Sequence, residues 1–211
     1  MLSILIDTAS ALRYFKKSDP VMFKLLKSGL TGSKTIVIPV PKKPQEHFST
    51  IVTSIIGQQI SVKAASAIRG RVLDKLGKIT PQTILNIPYD ELKACGLSGK
   101  KTDYLKYNAE VWESTRYKEF KNLENEEVIS ELIKLHGIGR WTAEMFLIFS
   151  LARQNVFSYG DLGLMNALYK NYNYKPHFKI KIKDTVDSWS PHQTLASLAL
   201  WHSLDNEPEL S

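Results

Sequence analysis

The chain has 211 residues, enough for one domain or two closely packed lobes with a real core. Hydrophobic residues make up 43% and charged residues 23%, the balance of an ordinary soluble globular protein. The net charge of +7 favours a polyanionic partner, and the single cysteine, Cys95, excludes an internal disulfide and any cysteine-ligated zinc or iron–sulfur cluster. One cysteine also fits a reducing, intracellular setting: cytoplasm or nucleoid in a prokaryote, nucleus in a eukaryote. Met1 to Ala11 lacks a basic flank and carries Asp7, so it does not read as a signal peptide. No apolar run approaches the roughly 20 residues of a membrane span.

Helix punctuation dominates the chain. Ser18-Asp19-Pro20 reads as a cap opening a helix over Val21 to Lys27. Residues 30–45 hold Gly32, Pro39, Pro41 and Pro44 and read as an extended loop, with room for a short strand at Thr35 to Ile38. Helix returns by about Phe48, with Ile51, Val52, Ile55 and Ile56 on one face. Ser61 caps a longer helix that turns Ala64, Ala65, Ile68, Val72 and Leu76 inward and ends at Gly77. Thr80-Pro81 and Pro88 open two short helices, and Ser98 caps another through Leu105 and Val111. Glu126 and Glu127 sit at a helix start, where acids suit the dipole. Ser190-Pro191 reads as the cap of a last helix carrying Leu195, Leu198, Trp201 and Leu204. About ten helices and no sustained alternation give an all-α protein.

Two glycine turns stand out. Gly137-Ile138-Gly139-Arg140-Trp141-Thr142 reads as a hairpin opening a helix, and Gly96-Leu97-Ser98-Gly99-Lys100-Lys101-Thr102 echoes it with one insertion. Free N–H groups at a helix N-terminus bind anions, and basic residues strengthen the site. Asp161 lies 22 residues beyond Gly139, room for a helix of about ten residues and a short return loop. Aspartate is also a common helix N-cap, and the two roles can coexist. A DNA-anchoring hairpin with an acid beside it suggests chemistry on DNA.

Four motifs occur in order: Ile55-Ile56-Gly57-Gln58-Gln59-Ile60-Ser61, Gly96-Leu97-Ser98, His136 to Met145, and Gly160-Asp161-Leu162-Gly163-Leu164. Together they resemble the alkylation-repair branch of the helix-hairpin-helix DNA glycosylases, the 3-methyladenine DNA glycosylase II type. The resemblance runs from about residue 10 to about 205. It implies a single two-lobed helical domain over 1–211 with a cleft between its lobes. The helix-hairpin-helix would span about 128–152 and the aspartate loop about 157–165. It implies that an alkylated purine, such as 3-methyladenine or 7-methylguanine, is flipped out of duplex DNA and its N-glycosidic bond hydrolysed. Asp161 is then the catalytic acid residue. Gln58, Gln59, Ser61, Gly96, Ser98, Lys100, Gly137, Gly139, Arg140 and Thr142 would meet DNA, with the Gln58-Gln59 turn entering the gap left by the base. Trp141, Met145 and Trp201 would line the base pocket, although some relatives have tyrosine where Met145 stands. Ser158 replaces a proline often found shortly before the acid, a change expected to loosen that turn. The implied enzyme is a monomer acting on double-stranded DNA with damaged bases, away from membranes. It needs no cofactor or multivalent metal, though the hairpin could hold a monovalent cation.

Breaking a glycosidic bond builds positive charge on the sugar, which a nearby carboxylate stabilises. An alkylated purine is already cationic and leaves readily, so one acid suffices. Members that also cut the strand carry a lysine two residues after the second hairpin glycine. Here that position is Trp141, and the neighbouring Arg140 is too basic to act as an amine nucleophile. The expectation is a glycosylase without lyase activity. The alternatives are the same fold acting on uracil, hypoxanthine or a mismatched base, and a noncatalytic helix-hairpin-helix DNA-binding protein. The latter would leave Asp161 without a role. Lys175, Lys179, Lys181 and Lys183 read either as extra phosphate contacts or as a solvated basic loop.

Overall fold

Side-chain caps set where most of the helices begin. In the computed structural model, which describes residues 6–32 and 35–205, twelve α-helices follow one another with one 3-10 turn and no strand among them. They are α1 (Thr8–Ser18), α2 (Pro20–Thr31), α3 (Pro44–Gly57), α4 (Val62–Leu76), α5 (Pro81–Asn86) and α6 (Tyr89–Ala94). Then come α7 (Gly99–Val111), α8 (Asn125–Leu132), α9 (Arg140–Phe149), α10 (Leu162–Tyr172), α11 (Lys179–Ser188) and α12 (Gln193–Asp205). Asp7, Asp19, Ser61, Thr80, Ser98 and Asp161 each accept from a backbone N–H in the first turn of the helix they precede. Prolines at the starts of α2, α3 and α5 cost nothing there, because the N–H they lack would be unpaired anyway. Among the described residues no helix is long and apolar enough to cross a membrane. The start of the chain, Met1 to Leu5, lies outside the described residues.

The chain divides into two compact units, one built from the described parts of Met1–Pro41 and Leu147–Ser211, the other from Lys42–Phe146. In the first, α1 packs on α2, and α12 packs on both α2 and α10. Phe15, Met22, Leu26, Leu164, Leu168, Trp189 and Leu195 form its core. Asp19 ties this unit together. One carboxylate oxygen caps α2 through Met22 N–H, and the other accepts from Tyr172 Oη at 2.7 Å and Trp189 Nε1 at 2.9 Å. In the second unit α3 packs on α4 and α7, and α5 and α6 also pack on α7. Phe48 and Tyr117 flank the buried Trp112.

Three local expectations need correction. Thr35 to Ile38 is extended and alternates, with Ile36 buried and Val37 exposed, but it has no neighbouring strand. Ile36 N–H donates instead to Gly29 C=O at 2.7 Å. Ser190-Pro191 does not cap α12, which opens two residues later; Ser190 Oγ instead accepts from Asn155 Nδ2. The inward face of α4 is only half covered, with Val72 its one fully buried side chain.

Candidate active site and nucleic-acid interface

The Lys42–Phe146 unit carries the hairpin. α8 ends at Leu132, residues 133–139 turn, and α9 opens at Arg140, so the helix-hairpin-helix begins three residues earlier than expected. Gly137 has φ +78°, and a Cβ there would stand 2.5 Å from the Tyr104 ring. Both facts demand glycine. Gly139 differs: its φ is not positive, and a Cβ would meet nothing within 4 Å. Its missing side chain therefore leaves open space rather than permitting a turn.

The hairpin is held from α7. Asn108, fully buried, donates to His136 C=O at 2.9 Å and accepts from His136 N–H at 2.8 Å. The His136 ring stacks on Tyr107 with centroids 3.6 Å apart. A further tie comes from Gln58, whose Nε2 donates to Gly137 C=O at 2.7 Å. Gln58 is half-buried, whereas Gln59 is exposed and left-handed at φ +58°, unusual for a residue with a side chain. The two glutamines thus do different things: one anchors, the other projects.

A cavity of about 690 Å³ opens beside this assembly. It brings together Gln58, Gln59, Ser98, Lys100, Gly137, Trp141, Thr142 and Met145, and adds Lys101 and Tyr104. Trp141, on the cavity wall, is 47% exposed. Ser61 and Ser98 spend their hydroxyls as helix caps. Gly96 has φ +100° and abuts the Arg71 guanidinium, which donates from Nε to Cys95 C=O. Gly96, Ser61, Gly139 and Arg140 do not line the cavity. The Arg140 guanidinium binds Glu126 through two nitrogens and Glu144 through Nε. That pairing holds the Glu126 carboxyl below its usual range, and a phosphate would have to compete with it.

Asp161 belongs to the other unit. Its Oδ1 accepts from Leu164 N–H at 2.7 Å, capping α10, and from Trp201 Nε1 at 3.0 Å. Trp201 lies half-buried on α12 and stacks on Phe149 at 5.9 Å. Gly163 lies close beneath, where a Cβ would stand 3.4 Å from Asp161 Oδ1 and 3.9 Å from the indole. Ser158 does not leave the turn open: Asp161 N–H donates to Ser158 C=O at 3.2 Å. Trp201 thus donates its indole N–H to the carboxylate that caps α10. Lys101, Tyr104 and Asn108 were missed by sequence reasoning. Their helical spacing, which puts them on one face of α7, was the available signal. Lys181 covers the Tyr174 ring and Lys183 pairs with Asp187, so part of the basic stretch is used locally. No group of three or more His, Cys, Asp or Glu placed to hold a metal ion occurs among the described residues.

The chain is 34% identical over 165 residues to DNA-3-methyladenine glycosylase 1 of Schizosaccharomyces pombe, a match covering 74% of this chain and 72% of the relative. It spans 61% and 59% of the length of two further curated relatives. The crystal structure of a DNA-3-methyladenine glycosidase from Bacillus halodurans superposes with TM-score 0.80 at 31% identity, covering 98% of this chain and 94% of that one. A 3-methyladenine DNA glycosylase of the same fission yeast, solved in complex with abasic DNA, gives TM-score 0.74 at 31% identity, covering 93% and 97%. The model of HhH-GPD superfamily base excision DNA repair proteins matches residues 52–191, a span that holds the hairpin and Asp161. The chain belongs to the HhH-GPD superfamily of base excision DNA repair proteins.

Proposed function

We propose that the protein is a monofunctional DNA-3-methyladenine glycosylase acting on duplex DNA. It flips alkylated purines, 3-methyladenine and 7-methylguanine among them, and hydrolyses their N-glycosidic bond. It works as a monomer on DNA inside the cell. The observation that carries this reading is the Asp161 carboxylate, held by both the α10 N-terminus and the Trp201 indole.

The chemistry follows from the parts. The hairpin N–H groups and Lys100 bind the phosphates. Gln59 fills the vacated base position while the purine enters the cavity beside Trp141, whose volume falls in the usual range of small-molecule sites. As the bond to the base breaks, positive charge grows on the sugar, and Asp161 stabilises it and orients the attacking water. The departing purine is neutral once the bond pair stays with it, so no second acid is required.

The test is base release from duplexes containing 3-methyladenine, 7-methylguanine, ethenoadenine, hypoxanthine or uracil, read as alkali-sensitive sites. Asp161→Asn keeps a side chain that caps α10 well but removes the charge, so it should lose about 100-fold or more in rate while still binding DNA. Full activity in that variant would refute the assignment. Uracil released as fast as 3-methyladenine would replace the substrate class.

A further inference from the structure

The end of α3 raises a question that the proposed reaction leaves unanswered: what keeps Gln59 in place. The last carbonyls of a helix have no partner within it. Here the chain also tightens, with Gln58 N–H donating to Ile55 C=O, before Gln59 takes its left-handed conformation. Such a residue persists only where its surroundings over-determine it.

Lys101 supplies the constraint. From α7 its Nζ donates to Ile56 C=O at 2.8 Å and to Gln58 C=O at 2.7 Å. A cation at a helix C-terminus suits the dipole. Burial pushes the Lys101 ammonium below its ordinary pKa, so this amine has exchanged water for two carbonyls. Gln58 in turn reaches across to Gly137 C=O, and Tyr104 and Asn108, on the same face of α7 as Lys101, hold the hairpin. Beyond these contacts project Gln59, Ile60 at 38% exposure and Val62 at 88%.

We infer that Lys101 is a positioning residue for base flipping: it fixes the Gln58-Gln59 turn for insertion and, through Gln58, ties it to the hairpin. Gripping the phosphate and filling the gap are then one rigid action. In this role Lys101 acts through main-chain carbonyls, unlike the phosphate contact proposed for its exposed neighbour Lys100. The inference rests on the glycosylase reading above.

The test compares affinity for a duplex holding a tetrahydrofuran abasic analogue with affinity for the same duplex undamaged, using Lys101→Met. Removing two charge-assisted hydrogen bonds should weaken abasic binding about tenfold while undamaged binding changes less than twofold. Lys101→Arg, which keeps donors, should restore most of the preference. In a Gln59→Ala background Lys101→Met should cost less than a further twofold, because the projecting side chain is already gone. Gln58→Ala leaves both Lys101 bonds in place but removes the link from the turn to Gly137 C=O, and should also weaken abasic binding more than undamaged binding, which guards against misfolding of the lysine variant. Equal losses on both duplexes with a salt dependence smaller by about one charge would make Lys101 a phosphate ligand and overturn the inference. So would additive losses in the double variant, or a preference kept intact by both Lys101→Met and Gln58→Ala. If the wild type shows no preference for the abasic duplex, the glycosylase reading falls together with the inference.

Discussion

The indole N–H of Trp201 and the backbone N–H of Leu164 converge on the same oxygen, Asp161 Oδ1, at 3.0 Å and 2.7 Å. The carboxylate is therefore oriented by a helix end and by a ring 40 residues away in sequence. A hydrogen bond to a charged group contributes about 1.5–3 kcal/mol, or roughly tenfold to a hundredfold in rate where it matters to the transition state. Trp201→Phe keeps a ring against Phe149 and deletes only the donor. Single-turnover base release should slow by that factor, with binding to an abasic duplex changed less than twofold. An unchanged rate would show that the bond is incidental.

Selectivity for cationic bases should rest on Trp141, the exposed aromatic in the cavity. Trp141→Ala should lose more activity on 3-methyladenine and 7-methylguanine than on neutral hypoxanthine, by about threefold to thirtyfold from the usual cation–π range. Competition between substrates in one reaction measures the ratio directly. Equal losses would leave the ring a role in shape alone.

The two hairpin glycines should fail in different ways. Gly137→Ala meets Tyr104 at 2.5 Å and a positive φ, so it should lower stability by about 2 kcal/mol, read from denaturant melts. Gly139→Val has space in the free protein and should melt near the wild type, yet bind an abasic duplex at least tenfold more weakly because its side chain occupies the phosphate approach. Tight binding by Gly139→Val would remove the hairpin as the anchor.

Strand scission should require alkali or a second enzyme. Position 141 offers an indole where a Schiff-base lysine would stand. Borohydride added during turnover should trap no protein–DNA adduct, as judged on a denaturing gel. A trapped band would point to another lysine as nucleophile.

Acid should weaken the fold through its buried histidines. His47 sits against Phe120 and Phe146, and burial lowers its pKa below the ordinary 6.5; burial lowers His192 as well. The folded state holds both neutral while the unfolded chain protonates them near 6.5, so below that value the unfolded state binds more protons. Stability should fall as pH drops through 6.5 and level off beneath the folded values. His47→Phe should flatten the dependence of Tm on pH between 7 and 5. An unaltered slope would assign the acid sensitivity elsewhere.

The hairpin and Asp161 were legible because glycine, capping residues and spacing are local signals, and the helix starts followed from the same caps. What stayed hidden was tertiary. Trp201 reads as a core or pocket tryptophan until α12 is laid beside the start of α10, which brings its N–H to the acid. Lys101 reads as one more basic residue after Gly99, and only the packing of α7 on α3 turns its amine towards the Gln58 carbonyl. Arg140 reads as a phosphate ligand in sequence, and its pairing with Glu126, 14 residues away across the hairpin, shows only in the structure. Thr35 to Ile38 had the alternation of a strand, but alternation cannot supply a neighbour.

The Asp19 carboxylate joins residues 153 and 170 positions apart, Tyr172 and Trp189, and Trp201 follows them in the chain. Lys42–Phe146, by contrast, is one continuous stretch. Contacts of long sequence separation close late, and during synthesis the later partners emerge from the ribosome last. The hairpin and its α7 support are complete in the nascent chain before Trp201 exists. A chain interrupted before Trp201 therefore carries the hairpin and its α7 support but lacks the indole donor to Asp161.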